Sequence, residues 1–102
     1  METLPNPPIA ARFSRLFLEW KEAVKYSSDL EQICTHPAYL KMIGMGEQVL
    51  PFIFDSLNES PQYWLVALES ITGENPVKPE SRGRIKLMTR DWLEWASRNG
   101  FS

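Results

Sequence analysis

The sequence predicts an all-α fold, a compact bundle of five to six helices. Three observations predict it: apolar residues recur at i, i+3, i+4 and i+7 in several segments, Pro and Gly punctuate those segments where helices start and stop, and no segment alternates apolar and polar residues as a strand would.

Pro5, Pro7 and Pro8 cannot occupy a helix interior, so residues 1–8 read as a tail or short docking arm and residues 9–102 as one helical domain. The first helix is expected from Ile9 to Tyr26, with Phe13, Leu16, Phe17, Trp20 and Val24 on one stripe. Ser28 and Glu31 have the spacing of a capping box, in which each side chain satisfies a free backbone N–H, ahead of a short helix through Leu30 and Ile33. Pro37 suits the first position of another short helix, with Thr35 or His36 before it and Gly44 ending it. A helix opening at Gly46 or Glu47 would tolerate Pro51 in its first turn and carries Val49, Leu50, Ile53, Phe54 and Leu57.

Ser60 and Pro61 mark the next start, and the segment to Thr72 is apolar on all sides, which places it at the centre of the bundle. Gly73 closes it. Residues Glu74 to Gly83 show no apolar period and read as the longest loop. The last helix puts Ile85, Met88, Trp92, Trp95 and Ala96 on one face before Gly100 caps it. Trp20, Leu50, Ile53, Trp64, Leu68, Met88 and Trp92 are the expected centre of the core.

The stretches His36-Pro37-Ala38-Tyr39, Ile43 to Gly46, Leu50-Pro51, Trp64 to Pro76 and Trp92 to Trp95 resemble a family of small uncharacterised bacterial helical proteins. The middle portion looks like a single HEAT-type repeat, with a glycine, a helix carrying proline in its first turn, a Pro-opened turn and a second helix with Ala67-Leu68 near its centre. That likeness implies a helical hairpin and partner binding by analogy, although HEAT solenoids stack several units and this chain offers one.

Composition narrows the function classes. Hydrophobic residues make up 43% and charged residues 24%, so a globular domain is expected rather than disorder. No apolar run is long enough to span a membrane, and Met1 to Pro8 has neither the basic nor the apolar region of a signal peptide. The lone Cys34 can form no internal disulfide; a cytoplasmic setting is the expectation.

Catalytic chemistry finds little support. Cys34 and His36 lie two apart without a third orienting group, and His36 is read instead as a capping or packing residue. One His and one Cys cannot build a zinc site without two carboxylates or a second chain, and Gly44-Met45-Gly46 lacks the residues of a phosphate loop. Glu74 follows a helix end and could act as an acid or base, but Asn75-Pro76 beside it is a turn signal. No enzyme activity, metal or cofactor is therefore expected.

The remaining signal is charge. Met1 to Val77 carries five Lys and Arg against ten Asp and Glu, whereas Lys78 to Ser102 carries six against three. Arg82, Lys86 and Arg90 recur every four residues opposite the apolar face of the last helix, where positive charge opposes the helix dipole. Arg90, Glu94 and Arg98 could also pair along the same face. Leu18 faces away from the stripe of the first helix, among Lys21 and Lys25.

These four residues, Arg82, Lys86, Arg90 and Leu18, are the expected contacts of a non-catalytic module that holds, inhibits or recruits a partner protein with an acidic surface, in the manner of an antitoxin, immunity protein or complex subunit. Two rival readings are a nucleic-acid-binding regulator using the basic last helix and a small enzyme using Glu74 and His36. The acidic body disfavours nucleic acid.

Overall fold

The computed structural model describes residues 9–60 and 62–101. The helices are α1 (Ile9–Val24), α2 (Leu30–Thr35), α3 (Pro37–Gly44), α4 (Leu50–Glu59), α5 (Leu65–Thr72) and α6 (Ile85–Arg98), with 3-10 turns at Gly46–Val49 and Pro79–Ser81. No strand occurs among the described residues. The fold is all-α, as the periodicity predicts. The expected tail at residues 1–8 and the helix start at Pro61 lie outside the described residues.

One stripe of α1 buries Phe13, Leu16 and Trp20 against α3. Phe13, Phe17, Trp20, Tyr39, Phe52 and Trp64 form a connected aromatic layer with ring centroids 5.0 to 6.1 Å apart. A second layer joins Phe54, Trp92, Trp95 and Phe101 where α4 meets α6. Such rings remove large apolar areas from water, which a domain of this size needs. Two of the indole N–H groups are satisfied by hydrogen bonds to other parts of the chain. The Trp20 indole donates to the Ile33 carbonyl at 2.7 Å, and the Trp64 indole donates to Ser56 Oγ at 3.2 Å.

Several helix ends depart from the sequence reading. Helix α1 stops at Val24, where Ser27 N–H closes a turn on the Val24 carbonyl, and Tyr26 is 91% exposed. The cap of α2 is Asp29 and not Ser28: its carboxylate accepts from Glu31 N–H at 3.0 Å, while Ser27 Oγ accepts from Asp29 N–H. Gly44 is the last residue of α3 rather than its left-handed cap. The positive φ, 79°, falls on Gly46, which opens the 3-10 turn into α4.

Helix α5 begins at Leu65, later than Ser60 and Pro61 suggest. It has no side-chain cap of its own. The Tyr39 hydroxyl of α3 supplies one, accepting from Ala67 N–H at 3.0 Å and donating to the Tyr63 carbonyl at 2.8 Å. The delayed start also sets the face: Ala67 and Leu68 are buried while Val66 is 46% exposed, so α5 is not apolar-buried all round. Gly73 ends it with φ 72°, as the sequence indicates.

Helix α5 packs mainly on α3, and α4 on α6. That arrangement gives no support to a self-packed HEAT-type hairpin in the middle of the chain. Of the seven expected core residues, Trp20, Leu50, Ile53, Trp64, Leu68 and Trp92 are buried in one cluster. Met88 is the correction. It is half-buried and lines a surface groove between α5, the following loop and α6.

Candidate partner-binding surface

The loop from Glu74 to Arg84 is fixed by a residue that sequence patterning does not reveal. Asp91 lies on α6 with its side chain only 1% exposed. Its Oδ2 accepts from Lys78 N–H at 3.0 Å, and its Oδ1 lies 3.3 Å from Arg90 Nη2 and 3.8 Å from Lys78 Nζ. Lys78 Nζ also reaches Glu94 at 3.7 Å. Burial alone would raise the Asp91 pKa, but the Lys78 N–H, the Arg90 guanidinium and the Lys78 charge together lower it. The carboxylate is ionised and shared between the loop and the helix. An acid flanked by a basic residue on a helix reads in sequence as a surface pair, which is why its burial was not legible.

That junction sets the course of the chain into α6. Ser81 N–H donates to the Lys78 carbonyl and Arg84 N–H to the Ser81 carbonyl, so the 3-10 turn at Pro79–Ser81 leads through Arg82 and Gly83 to Arg84, which precedes the first helical residue. Gly83 has φ 80°, a conformation that side chains other than glycine's rarely adopt.

The expected basic stripe is rearranged as a result. Helix α6 begins at Ile85, so Arg82 stands in the preceding turn and is not one helical turn below Lys86. Arg82 lines the groove that also contains Glu69, Asn75 and Met88. Arg90 remains half exposed, but its guanidinium is engaged by Asp91. The suggested Arg90-Glu94-Arg98 pairing is not what forms among the described residues, since Glu94 pairs with Lys78. What remains is an exposed basic turn of Arg82, Arg84 and Lys86. Arg84 did not belong to the i, i+4 pattern and was missed for that reason. No side chain caps α6, and its first turn contains no acidic residue.

Leu18 is 64% exposed on α1, as its position on the polar face predicts. A groove lies where the end of α1 meets α2 and the start of α6, with a volume of about 320 Å³. Val24, Ile33, Tyr63 and Ile85 line it with the edge of Trp20, and Lys21 and Lys25 stand beside them.

The residues considered for catalysis take structural positions. His36 Nδ1 accepts from Ala38 N–H at 3.0 Å and caps α3. Burial raises the Cys34 thiol pKa, with a smaller opposing effect from Tyr39, which disfavours the reactive thiolate. Glu74 is exposed and its N–H donates to Thr72 Oγ1 at 3.0 Å; the groove beside it is lined by Glu47, Trp95, Asn99 and Phe101, and His36 is not part of it. Among the described residues no group of three or more His, Cys, Asp or Glu could hold a metal ion, and no helix is long and apolar enough to cross a membrane.

No family model, curated protein or solved structure matches the chain.

Proposed function

We propose that the chain is a non-catalytic helical module that holds, inhibits or recruits a protein partner with an acidic surface, and that it works in a cytoplasm. The observation that carries this reading is the basic turn at the start of α6. Arg82, Arg84 and Lys86 are exposed around a helix N-terminus that has no side-chain cap and no acidic residue in its first turn. Positive charge there is opposed by the helix dipole, and an anionic group docked against it relieves that opposition. Three residues on a chain that is acidic elsewhere suit an interface rim, where charge governs partner choice and association rate. The broad basic surface of a general nucleic-acid binder gathers many more phosphate contacts.

The test is the triple variant Arg82→Glu, Arg84→Glu and Lys86→Glu. Arg90 is left in place because its guanidinium contributes to the Asp91 junction. Association with the partner isolated from the native host should slow by about tenfold or more at low salt, with a difference that shrinks as salt rises. Equal rates at all salt concentrations would remove the basic turn from the interface. Tight binding of duplex or single-stranded DNA by the unaltered chain, lost on reversal, would instead establish a nucleic-acid regulator.

A further inference from the structure

We infer that the groove between α1, α2 and the start of α6 seats an amphipathic helix of the partner, one that presents apolar side chains to the groove and carboxylates along its flank. The inference rests on the acidic-partner reading above and adds a second contact surface to it. The groove wall is apolar through Val24, Ile33, Tyr63 and Ile85, and the space is open along one side. At about 320 Å³ it lies at the lower limit of small-molecule pockets, which enclose most of their ligand's surface. An open trough of that size suits a few protruding apolar side chains of a helix laid across it.

Charge selects the helix. Among the described residues no carboxylate lines the groove, although the chain has 13 acidic residues against 11 basic ones. The charged residues that do line it are Lys21, in the last turn of α1, and Lys25, in the turn that follows the helix. Lys21 lies over the Phe17 ring at 5.1 Å and has no carboxylate within ion-pair distance among the described residues. Lys25 pairs with Glu22 at 2.9 Å, but both side chains are exposed and such a pair is weak enough to exchange. Carboxylates along the flank of the incoming helix would meet those two lysines.

The apolar surface also continues past the groove. Tyr26, next to Lys25, is 91% exposed, and Leu30 on α2 is 51% exposed. At the other end, Ile85 of the groove wall adjoins Lys86 of the basic turn.

The experiment records heteronuclear NMR spectra of the whole chain with three probes: a synthetic amphipathic helix bearing a pair of leucines flanked by Glu at i, i+4, the same peptide with Lys at each Glu position, and decanoate. The acidic peptide should shift the Trp20 indole N–H and the amides of Ile33, Tyr63 and Ile85 saturably, and the lysine peptide should not. The double variant Lys21→Glu and Lys25→Glu should weaken the acidic peptide by about tenfold or more. Tyr63→Ser, which shortens the apolar wall without changing the charge, serves as a second variant with the same expected direction, and unchanged spectral dispersion verifies that each variant is folded. Equal binding of both peptides, saturation by decanoate alone, or no shift in the groove overturns the inference. Shifts confined to Arg82, Arg84 and Lys86 overturn the groove while leaving the acidic-partner reading intact. That reading falls instead when the native partner associates at the same rate with the reversed basic turn.

Discussion

The backbone N–H of Lys78 donates to the buried carboxylate of Asp91 across 3.0 Å, and this bond ties a loop without apolar periodicity to the last helix. Its worth follows from charge and burial. A hydrogen bond to a charged group contributes about 1.5 to 3 kcal/mol, and removing the acceptor leaves Lys78 N–H without its protein partner. The accompanying contacts from Lys78 Nζ and Arg90 add little, since those side chains are 48% and 50% exposed. Asp91→Ala should therefore destabilise the domain by about 1.5 to 3 kcal/mol. Urea unfolding measures the loss, and hydrogen exchange should speed first at Lys78, Ser81 and Arg84. An unchanged midpoint would show that the loop is held by other contacts.

The same carboxylate makes stability depend on pH. Burial pushes its pKa up, but the Lys78 N–H, Arg90 and the Lys78 charge outweigh that effect, so the folded-state pKa lies below the ordinary value. The stabilisation is then fully present above the unfolded-state pKa of about 3.9, and it is lost as pH falls through the lower folded-state value. Asp91→Asn should be less stable than the parent near neutrality, and the gap should narrow steadily as the solution is acidified below pH ~4. Paired urea titrations across that range measure the gap. A constant difference would mean that the charge of Asp91 contributes nothing.

How much of this was legible in the sequence depended on whether a signal was local. The stripe of α1, the proline in the first turn of α4, the glycine that ends α5 and the histidine cap of α3 all rest on residues within a turn or two of one another, and the structure contains them. The start of α5 was placed too early because its cap comes from Tyr39, 28 residues upstream of Ala67. Likewise, Asp91 finds its backbone partner 13 residues away. The candidate surface was legible as charge but not as shape: Arg82 left the stripe because a glycine with positive φ turns the chain before α6, and Arg84 entered the basic turn from outside the helical period. The groove at the end of α1 draws on four separate parts of the chain, which no single periodicity can bring together.

Two core residues with the same sequence pattern should respond differently. Leu68 is fully buried in α5, so Leu68→Ala should cost about 2 to 5 kcal/mol, the range for a large-to-small change that leaves a cavity. Met88 is half-buried at the edge of a groove, so its replacement by Ala removes less area from the folded state and leaves an opening that solvent can fill. Its cost should fall clearly below that of Leu68→Ala. Equal losses in denaturant midpoint would contradict the placement of Met88 outside the central cluster.

The sharpest single-atom test is Tyr39→Phe. The Tyr39 ring sits 5.1 Å from Trp20 and 5.9 Å from Trp64 by centroid, and phenylalanine keeps that packing. The lost atom is the hydroxyl oxygen, which accepts from Ala67 N–H and donates to the Tyr63 carbonyl. Burial first, and the neighbouring Cys34 second, push its pKa far above the ordinary tyrosine value, so the hydroxyl stays protonated and able to donate at any pH the fold tolerates. Its removal leaves the buried Ala67 N–H and the part-buried Tyr63 carbonyl without their protein partner, at a cost of about 1 to 3 kcal/mol. Because α5 has no other side-chain cap, the loss should concentrate in its first turn. Amide exchange at Ala67 should accelerate more than at Leu57 of α4, while near-ultraviolet circular dichroism continues to report packed aromatic rings. Uniform acceleration across all helices would mean that the hydroxyl stabilises the domain as a whole, and unchanged exchange at Ala67 would show that α5 does not depend on a cap from α3.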